Sequence, residues 1–351
     1  MSSTSLHLDN LVNAKLYTMK IITSVIITVV FASACCSSSN NAPLIRNMYR
    51  GGDHFEGPHW SQAENALYWV DISGQTVYRL DGQTGNTTSR YISYGPVTFV
   101  ITVRDNPGVV VLSARSDVYL LHWQTTGDGA LRLLTTVDLG HPDNRCNDAK
   151  CDAKGRLWLG TMGKETSKDV EKDQGTLYMI DHSNYLHPEV KVRPVSVSNG
   201  LAWTADNKFM FYIDSPTRNI DVFDYNLQNG SIRNRRTLFS FQANNVTGVP
   251  DGMTIDKDDN LWIACYGGGK VIKIDSRAGK LLEHHKLPAS KVTSVTWGGH
   301  DRSILYVTTR KSHSPSEAAQ EPEGGSLFAI EGTGTTGAPG KEFVFPEAAK
   351  Y

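Results

Sequence analysis

The chain has 351 residues, with 35 Lys and Arg against 36 Asp and Glu for a formal charge of −1, a length that suits one large domain or two average ones. The near-neutral balance and the scatter of basic residues exclude an electrostatic nucleic-acid face. With 31 glycines, 39% hydrophobic and 9% aromatic residues, the composition is that of a soluble chain rich in strands and turns.

Residues 1–34 read as a leader. IITSVIITVVFASA, from Ile21 to Ala34, is an apolar run that follows Met19-Lys20 and ends on the small residues Ala32-Ser33-Ala34, the pattern of a secretory signal peptide. The run falls short of the roughly 20 residues a membrane span needs. Met19 is a candidate working start, because residues 1–18 are polar and have no part in such a signal. The expectation is a linker over 35–44, a secreted protein with no stable membrane span after signal removal, and a cytoplasmic one if the leader is unused. Asn-X-Ser/Thr sequons at Asn86, Asn229 and Asn245 agree with a secreted glycoprotein. The cysteines are Cys35, Cys36, Cys146, Cys151 and Cys265, an odd number that cannot pair completely. A Cys146–Cys151 bridge requires a bend, since an extended strand would separate the two by about 16 Å.

Beyond the leader there is no sustained apolar run at helical spacing. Short β-branched and aromatic runs alternate with Gly, Asp and Asn instead. In chain order, six segments resemble one another: EGPHWSQAENALYWVD from Glu56, FVITVRDNPGVVVLSA from Phe99, NDAKCDAKGRLWLGTM from Asn147, NGLAWTADNKFMFYID from Asn199, DGMTIDKDDNLWIACY from Asp251 and TSVTWGGHDRSILYVTT from Thr293. Each is a strand, a polar turn and a second apolar strand. A third strand follows each one: TVYRLD, DVYLLHW, TLYMID, NIDVFDY, KVIKID and SLFAIE. Four short antiparallel strands recurring at roughly 40 to 50 residues describe a propeller blade. The fold class expected is therefore all-β, a six-bladed β-propeller over 45–351, favoured by its period over packed sandwiches or a β-helix.

The first strand of a blade runs along the central channel, so equivalent positions point at one axis. The opening position is Glu56, Phe99, Asn147, Asn199, Asp251 and Thr293 in turn. Taken alone, Asp251-Gly252 is a turn signal; in the alignment Asp251 is a channel spoke, and the turn moves to Asp256–Asn260. Carboxylates and amides around one axis are costly in a low-dielectric channel unless paired. A hard cation removes that cost, and Ca²⁺ takes such oxygen ligands. No spoke is His or Cys, which disfavours structural zinc. A water-filled channel of hydrogen-bonded polar residues is the competing reading. The series Trp60, Trp203 and Trp297 recurs at one repeat position and is read as inter-blade packing.

At these positions the sequence resembles the regucalcin, gluconolactonase and luciferin-regenerating enzyme family, also called the senescence marker protein family. The likeness rests on Glu56-Gly-Pro-His-Trp60, Asn144-Arg-Cys-Asn-Asp148, Gly160-Thr-Met162, Ser198-Asn-Gly-Leu-Ala-Trp203, Tyr212-Ile-Asp214, Asp221-Val-Phe-Asp-Tyr225, Pro250-Asp-Gly-Met253 and Leu261-Trp-Ile-Ala-Cys-Tyr266. It extends over nearly everything from about residue 50 onward. The resemblance implies one divalent cation in the channel, held by Glu56, Asn199 and Asp251; Ca²⁺ is favoured, with Zn²⁺, Mn²⁺ or Mg²⁺ as alternatives. It also implies substrate contacts from Arg145, Asn147 and Glu165, with Asp148 behind the metal. The activity implied is hydrolysis of lactones, with Asp251 as ligand and general base and a small-molecule lactone as partner. A non-catalytic calcium-binding role, or another hydrolysis or regeneration reaction on the same site, is the alternative. Cys146 stands where the family usually has an apolar residue and Ala149 where it commonly has Gly, and neither change removes a functional atom. The signal peptide is the larger departure, since the best-known relatives are intracellular.

Overall fold

The structure is a computed structural model that describes residues 42–127, 130–166 and 169–345. The apolar leader, Cys35, Cys36 and the last six residues lie outside the described residues. Among the described residues no helix is long and apolar enough to cross a membrane.

The strands form six four-stranded antiparallel sheets arranged as a β-propeller. A first strand, β1 (Leu44–Tyr49), precedes the repeats. Blade 1 is β2 (Phe55–Ser61), β3 (Ala66–Asp71), β4 (Thr76–Asp81) and β5 (Thr87–Tyr91). Blade 2 is β6 (Val100–Thr102), β7 (Val109–Ala114), β8 (Asp117–His122) and β9 (Leu131–Thr136). Blade 3 is β10 (Arg145–Cys151), β11 (Leu157–Met162), β12 (Gly175–Ile180) and β13 (Glu189–Val195). Blade 4 is β14 (Ser198–Trp203), β15 (Phe209–Asp214), β16 (Asn219–Asn226) and β17 (Ser231–Ser240). Blade 5 is β18 (Val249–Ile255), β19 (Leu261–Tyr266), β20 (Lys270–Asp275) and β21 (Lys280–Lys286). Blade 6 has β22 (Val292–Gly298), β23 (Ile304–Thr309) and β24 (Leu327–Glu331), and its outermost strand is β1. The ring therefore closes with a strand from the front of the domain, beginning at Leu44 inside the stretch expected as linker. The polar segment before β24 carries a short helix, α1 (Pro315–Gln320).

Each hydrophobic cluster draws on two adjacent blades. Phe55, Leu67 and Trp69 of blade 1 pack with Tyr306, Leu327 and Ala329 of blade 6, and Phe211 and Ile213 of blade 4 pack with Met253 and Ile263 of blade 5. Second strands are thus covered on both faces, which is why ALYWVD, VVVLSA and LWLGTM read as continuous apolar runs. The recurrent tryptophans join neighbouring blades as expected. Trp60 stacks on Tyr306 at 5.9 Å, Trp203 meets Trp158 at 5.8 Å and Trp297 meets Trp262 at 5.1 Å.

The Cys146–Cys151 bridge does not form. Both are buried free thiols at opposite ends of β10, and Cys265 is a third. The three sequon asparagines are exposed, Asn229 and Asn245 in turns and Asn86 just before β5.

Candidate active site at the upper mouth of the channel

The inner strands β2, β6, β10, β14, β18 and β22 enter the channel from the same end, called upper here. Turn chemistry fixes their entry. Asp71, closing β3, accepts the backbone N–H groups of Asp53 and His54 at 2.9 and 3.0 Å. Asp214, closing β15, does the same for Ser196 and Val197 at 3.2 and 2.9 Å.

Just inside, the ladder register slips in five of the six inner strands. The slips lie between Glu56 and His59, Cys146 and Ala149, Asn199 and Leu201, Pro250 and Met253, and Val292 and Ser294. A bulge re-aims the side chain it carries, so the irregularity falls where Glu56, Asn147, Asn199 and Asp251 stand. Asp251 lies within β18, and the turn is Asp256–Asn260, closed by Asp256 N–H to Asn260 C=O at 2.9 Å. Glycines after the spokes let inner strands nearly touch. A Cβ on Gly252 would lie 2.0 Å from Ser294 Oγ, and one on Gly200 would lie 2.8 Å from the Asp251 carbonyl oxygen. Phe99 and Thr293 contribute nothing polar to the lumen. Phe99 is core, and the Thr293 hydroxyl is tied to the Phe55 carbonyl at 2.6 Å, stapling blade 6 to blade 1 behind Glu56.

Three carboxylates, Glu56, Asp148 and Asp251, are buried here. Glu56 and Asp148 each accept the next residue's backbone N–H, at 2.7 Å in both cases, and Asp251 is held likewise by Gly252. Burial first, then the charges of Asp251 and Asp148, push the Glu56 carboxyl well above the usual carboxylate range. Burial and then Asp148 do the same to Asp251, opposed by Arg145 and Arg310. Asp148 is raised by burial and eased by Lys150 below it.

A continuous polar chain crosses blades 3, 4 and 5 beside these carboxylates. Glu165 pairs with Arg145 at 3.3 Å. Arg145 donates to Asn147 Oδ1 at 2.8 Å, and Asn147 Nδ2 donates to Asn199 Oδ1 at 2.9 Å and to the Ser198 carbonyl at 2.8 Å. Asn199 Nδ2 donates to Ser215 Oγ at 2.7 Å, and Ser215 donates to the Pro250 carbonyl at 2.6 Å, one residue before Asp251. The network fixes the Asn199 amide with its oxygen held in place by Asn147. Both Asn147 N–H groups are engaged, so this residue orients Asn199 and Arg145 more than it offers donors to a substrate. Glu165, with half its side chain exposed, stands at the rim.

Sequence reading missed Ser215, which follows β15 in a single 3₁₀ turn, and Arg310, just past β23; neither carries a motif. His54 carries no motif either. His54 is placed at this mouth by an antiparallel bridge to Arg310, and burial followed by Arg310 and Arg145 holds its pKa well below the ordinary value.

The donor set suits a hard cation. Two buried carboxylates that repel each other and an amide oxygen already oriented by its neighbours match the oxygen chemistry Ca²⁺ prefers. Among the described residues no three His, Cys, Asp or Glu side chains form a metal cluster by themselves, so such a cation would need the Asn199 oxygen.

A channel-centred polar site in a six-bladed propeller defines a class of proteins that present functional groups from successive inner strands. The family model described as SMP-30/Gluconolactonase/LRE-like region matches residues 55–311, and the chain belongs to that family. Regucalcin of Bos taurus is 40% identical over 288 residues, 81% of this chain and 92% of that protein. Regucalcin of Gallus gallus is 38% identical over 296 residues, 82% and 95% respectively. A solved luciferin-regenerating enzyme superposes with a TM-score of 0.81 at 31% identity, covering 87% of this chain and all of that one. Regucalcin of Agrobacterium tumefaciens, described as a calcium-binding protein, has a TM-score of 0.76 at 20% identity over 86% of this chain and 97% of its own, and supports the fold alone.

Proposed function

We propose that the protein is a divalent-cation-dependent lactonase, a hydrolase of carboxylic ester bonds working on sugar-type lactones at the upper mouth. The observation that carries the reading is the pair of buried carboxylates Glu56 and Asp251 at the mouth, with the Asn199 amide tied through Ser215 to the strand of Asp251 and Arg145 paired with Glu165 beside them. Glu56, Asn199 and Asp251 would hold the cation, Ca²⁺ by preference. When bound, the cation would polarise the lactone carbonyl and lower the pKa of a nearby water.

The chain's residues supply the rest. Asp251 takes the proton of the attacking water. As the ring C–O bond breaks, that proton passes to the ring oxygen, leaving a hydroxy acid. Arg145, anchored by Glu165 and Asn147, orients ring hydroxyls or the carbonyl oxygen. Asn147 and Ser215 lock Asn199, and His54 stays neutral at the rim.

The test is hydrolysis across a panel of lactones and phosphotriesters by the full chain, before and after chelation, with Ca²⁺, Mg²⁺, Mn²⁺ and Zn²⁺ added back. Cation-restored lactone opening is expected. Tight Ca²⁺ binding with no turnover of any lactone would replace the enzyme reading by a calcium-binding one, as the regucalcin relatives are named. We infer further that the protein acts outside the cell, on the strength of the apolar leader and the three exposed sequons. An endoglycosidase-sensitive mass on material collected from medium is the check, and an unglycosylated protein retained in cytosol would end that reading.

A further inference from the structure

We propose that Arg310 forms an anion subsite across the mouth from Arg145, so that the lactone taken here carries a free carboxylate, as the lactone of a sugar diacid does. The proposal deepens the lactonase reading and rests on it. Arg310 follows β23 and bridges His54, two residues before Glu56. Its Nη1 donates to the Tyr266 hydroxyl at 3.2 Å, and Tyr266 ends β19 opposite Val249, two residues before Asp251. The guanidinium thus lies between the strands that carry Glu56 and Asp251, on the side of the ring away from blade 3. Its field reaches both His54 and Asp251.

The charges around the mouth leave this one uncompensated. Arg145 is paired with Glu165. Asp148 faces the Lys150 ammonium on its lower side. Glu56 and Asp251 are the two carboxylates a divalent cation would take up. Among the described residues the guanidinium of Arg310 meets the Tyr266 hydroxyl rather than a carboxylate, and its Nε is buried without a partner. A partly buried guanidinium with free donors at the entrance of a small-molecule site is the group that selects carboxylates, because the planar fork matches them and little water competes. A ring held by Arg145 on one side would extend its carboxylate-bearing tail toward the opposite rim, where Arg310 stands.

The experiment pairs two lactones of equal ring size, one from an aldaric acid with a free carboxylate and one from a neutral aldonic acid, using the full chain with its cation. Expected is a kcat/KM higher for the carboxylate-bearing lactone by on the order of 10- to 100-fold, the range of one charge-assisted contact. That KM should rise with ionic strength, while the neutral lactone's stays flat. Arg310→Met should erase the preference by raising KM for the carboxylate-bearing lactone well above that for the neutral one, and Arg310→Lys should recover part of it. The same preference is to be read by calorimetry with a lactam carboxylate and its neutral counterpart. Equal use of both lactones by the wild type, or equal loss on both in Arg310→Met, overturns the subsite and leaves the lactonase reading standing. If neither lactone is opened, the lactonase reading falls and the calorimetric comparison alone decides Arg310. If Arg310→Met does not fold, the salt dependence of the wild type and Arg310→Lys decide the question.

Discussion

The two ends of the channel are lined by the same six strands and are built differently. At the upper end the inner strands bulge, and the spokes are acids, amides and an arginine held by a hydrogen-bonded chain. At the lower end the ladders are regular, and a chamber of about 310 Å³ is walled by Ile101, Leu201, Trp203, Ile255 and Trp297, with His59 and Lys150 on its sides. The C-terminal tail covers that chamber. It docks Gly337 on Arg302 and Ala338 on Ile255, then runs to blade 2, where the Phe343 N–H donates to the Thr102 carbonyl at 3.0 Å. The polar groups below serve the fold: His59 bonds Thr102 at 2.8 Å, and Thr102 bonds Glu342 of the tail at 2.8 Å. One strand can therefore carry chemistry at its bulged start and packing at its regular end.

The comparison breaks most visibly at Asp251. Asp251→Asn should lower lactone turnover by about 10³-fold or more, since it removes a ligand and the proposed base together, with the purified variant's initial rates as the measure. Trp297→Ala at the lower end should do the reverse. It should cost about 3–5 kcal/mol of stability by urea unfolding and leave kcat of the folded fraction within about twofold. Similar rates in wild type and Asp251→Asn would remove the base from the scheme.

A middle-sized effect is expected at Ser215, between the two extremes. Ser215→Ala strands the Asn199 amide, an unmade bond worth about 1–3 kcal/mol. Calorimetry should show cation affinity falling roughly tenfold while the chamber's packing is untouched. An unchanged affinity would mean that Asn199 is oriented by Asn147 alone.

The smallest effect sharpens the lower end. Burial holds the His59 ring down to about 3, with Lys150 adding to it. A folded-state value below the unfolded one of about 6.5 gives stability that is complete above that pH and fades as pH falls toward 3. The ring faces a chamber roomy enough for water, which moderates the effect to about 1 kcal/mol. His59→Gln should flatten the acid limb of the unfolding midpoint between pH ~6.5 and ~4 by that amount, without altering turnover at neutral pH.

The sequence by itself determined the blade. Its period, its turns and its doubly covered second strands are local facts, written in runs such as LYWVD and FMFYID. The spokes were legible too, because Glu56, Asn199 and Asp251 are polar residues at a position where the strand is otherwise apolar, each followed by Gly. What only the tertiary structure decided lies where the chain returns from a distance. Leu44–Tyr49 completes blade 6, a pairing with Leu327–Glu331 that no local pattern encodes. The C-terminal tail closes the chamber across blades it does not belong to. Ser215 and Arg310 join the site because the ring brings the ends of second strands beside the starts of inner ones. A guanidinium paired with a carboxylate and one bonded to a tyrosine hydroxyl look alike in sequence; only the placement of surrounding groups tells them apart.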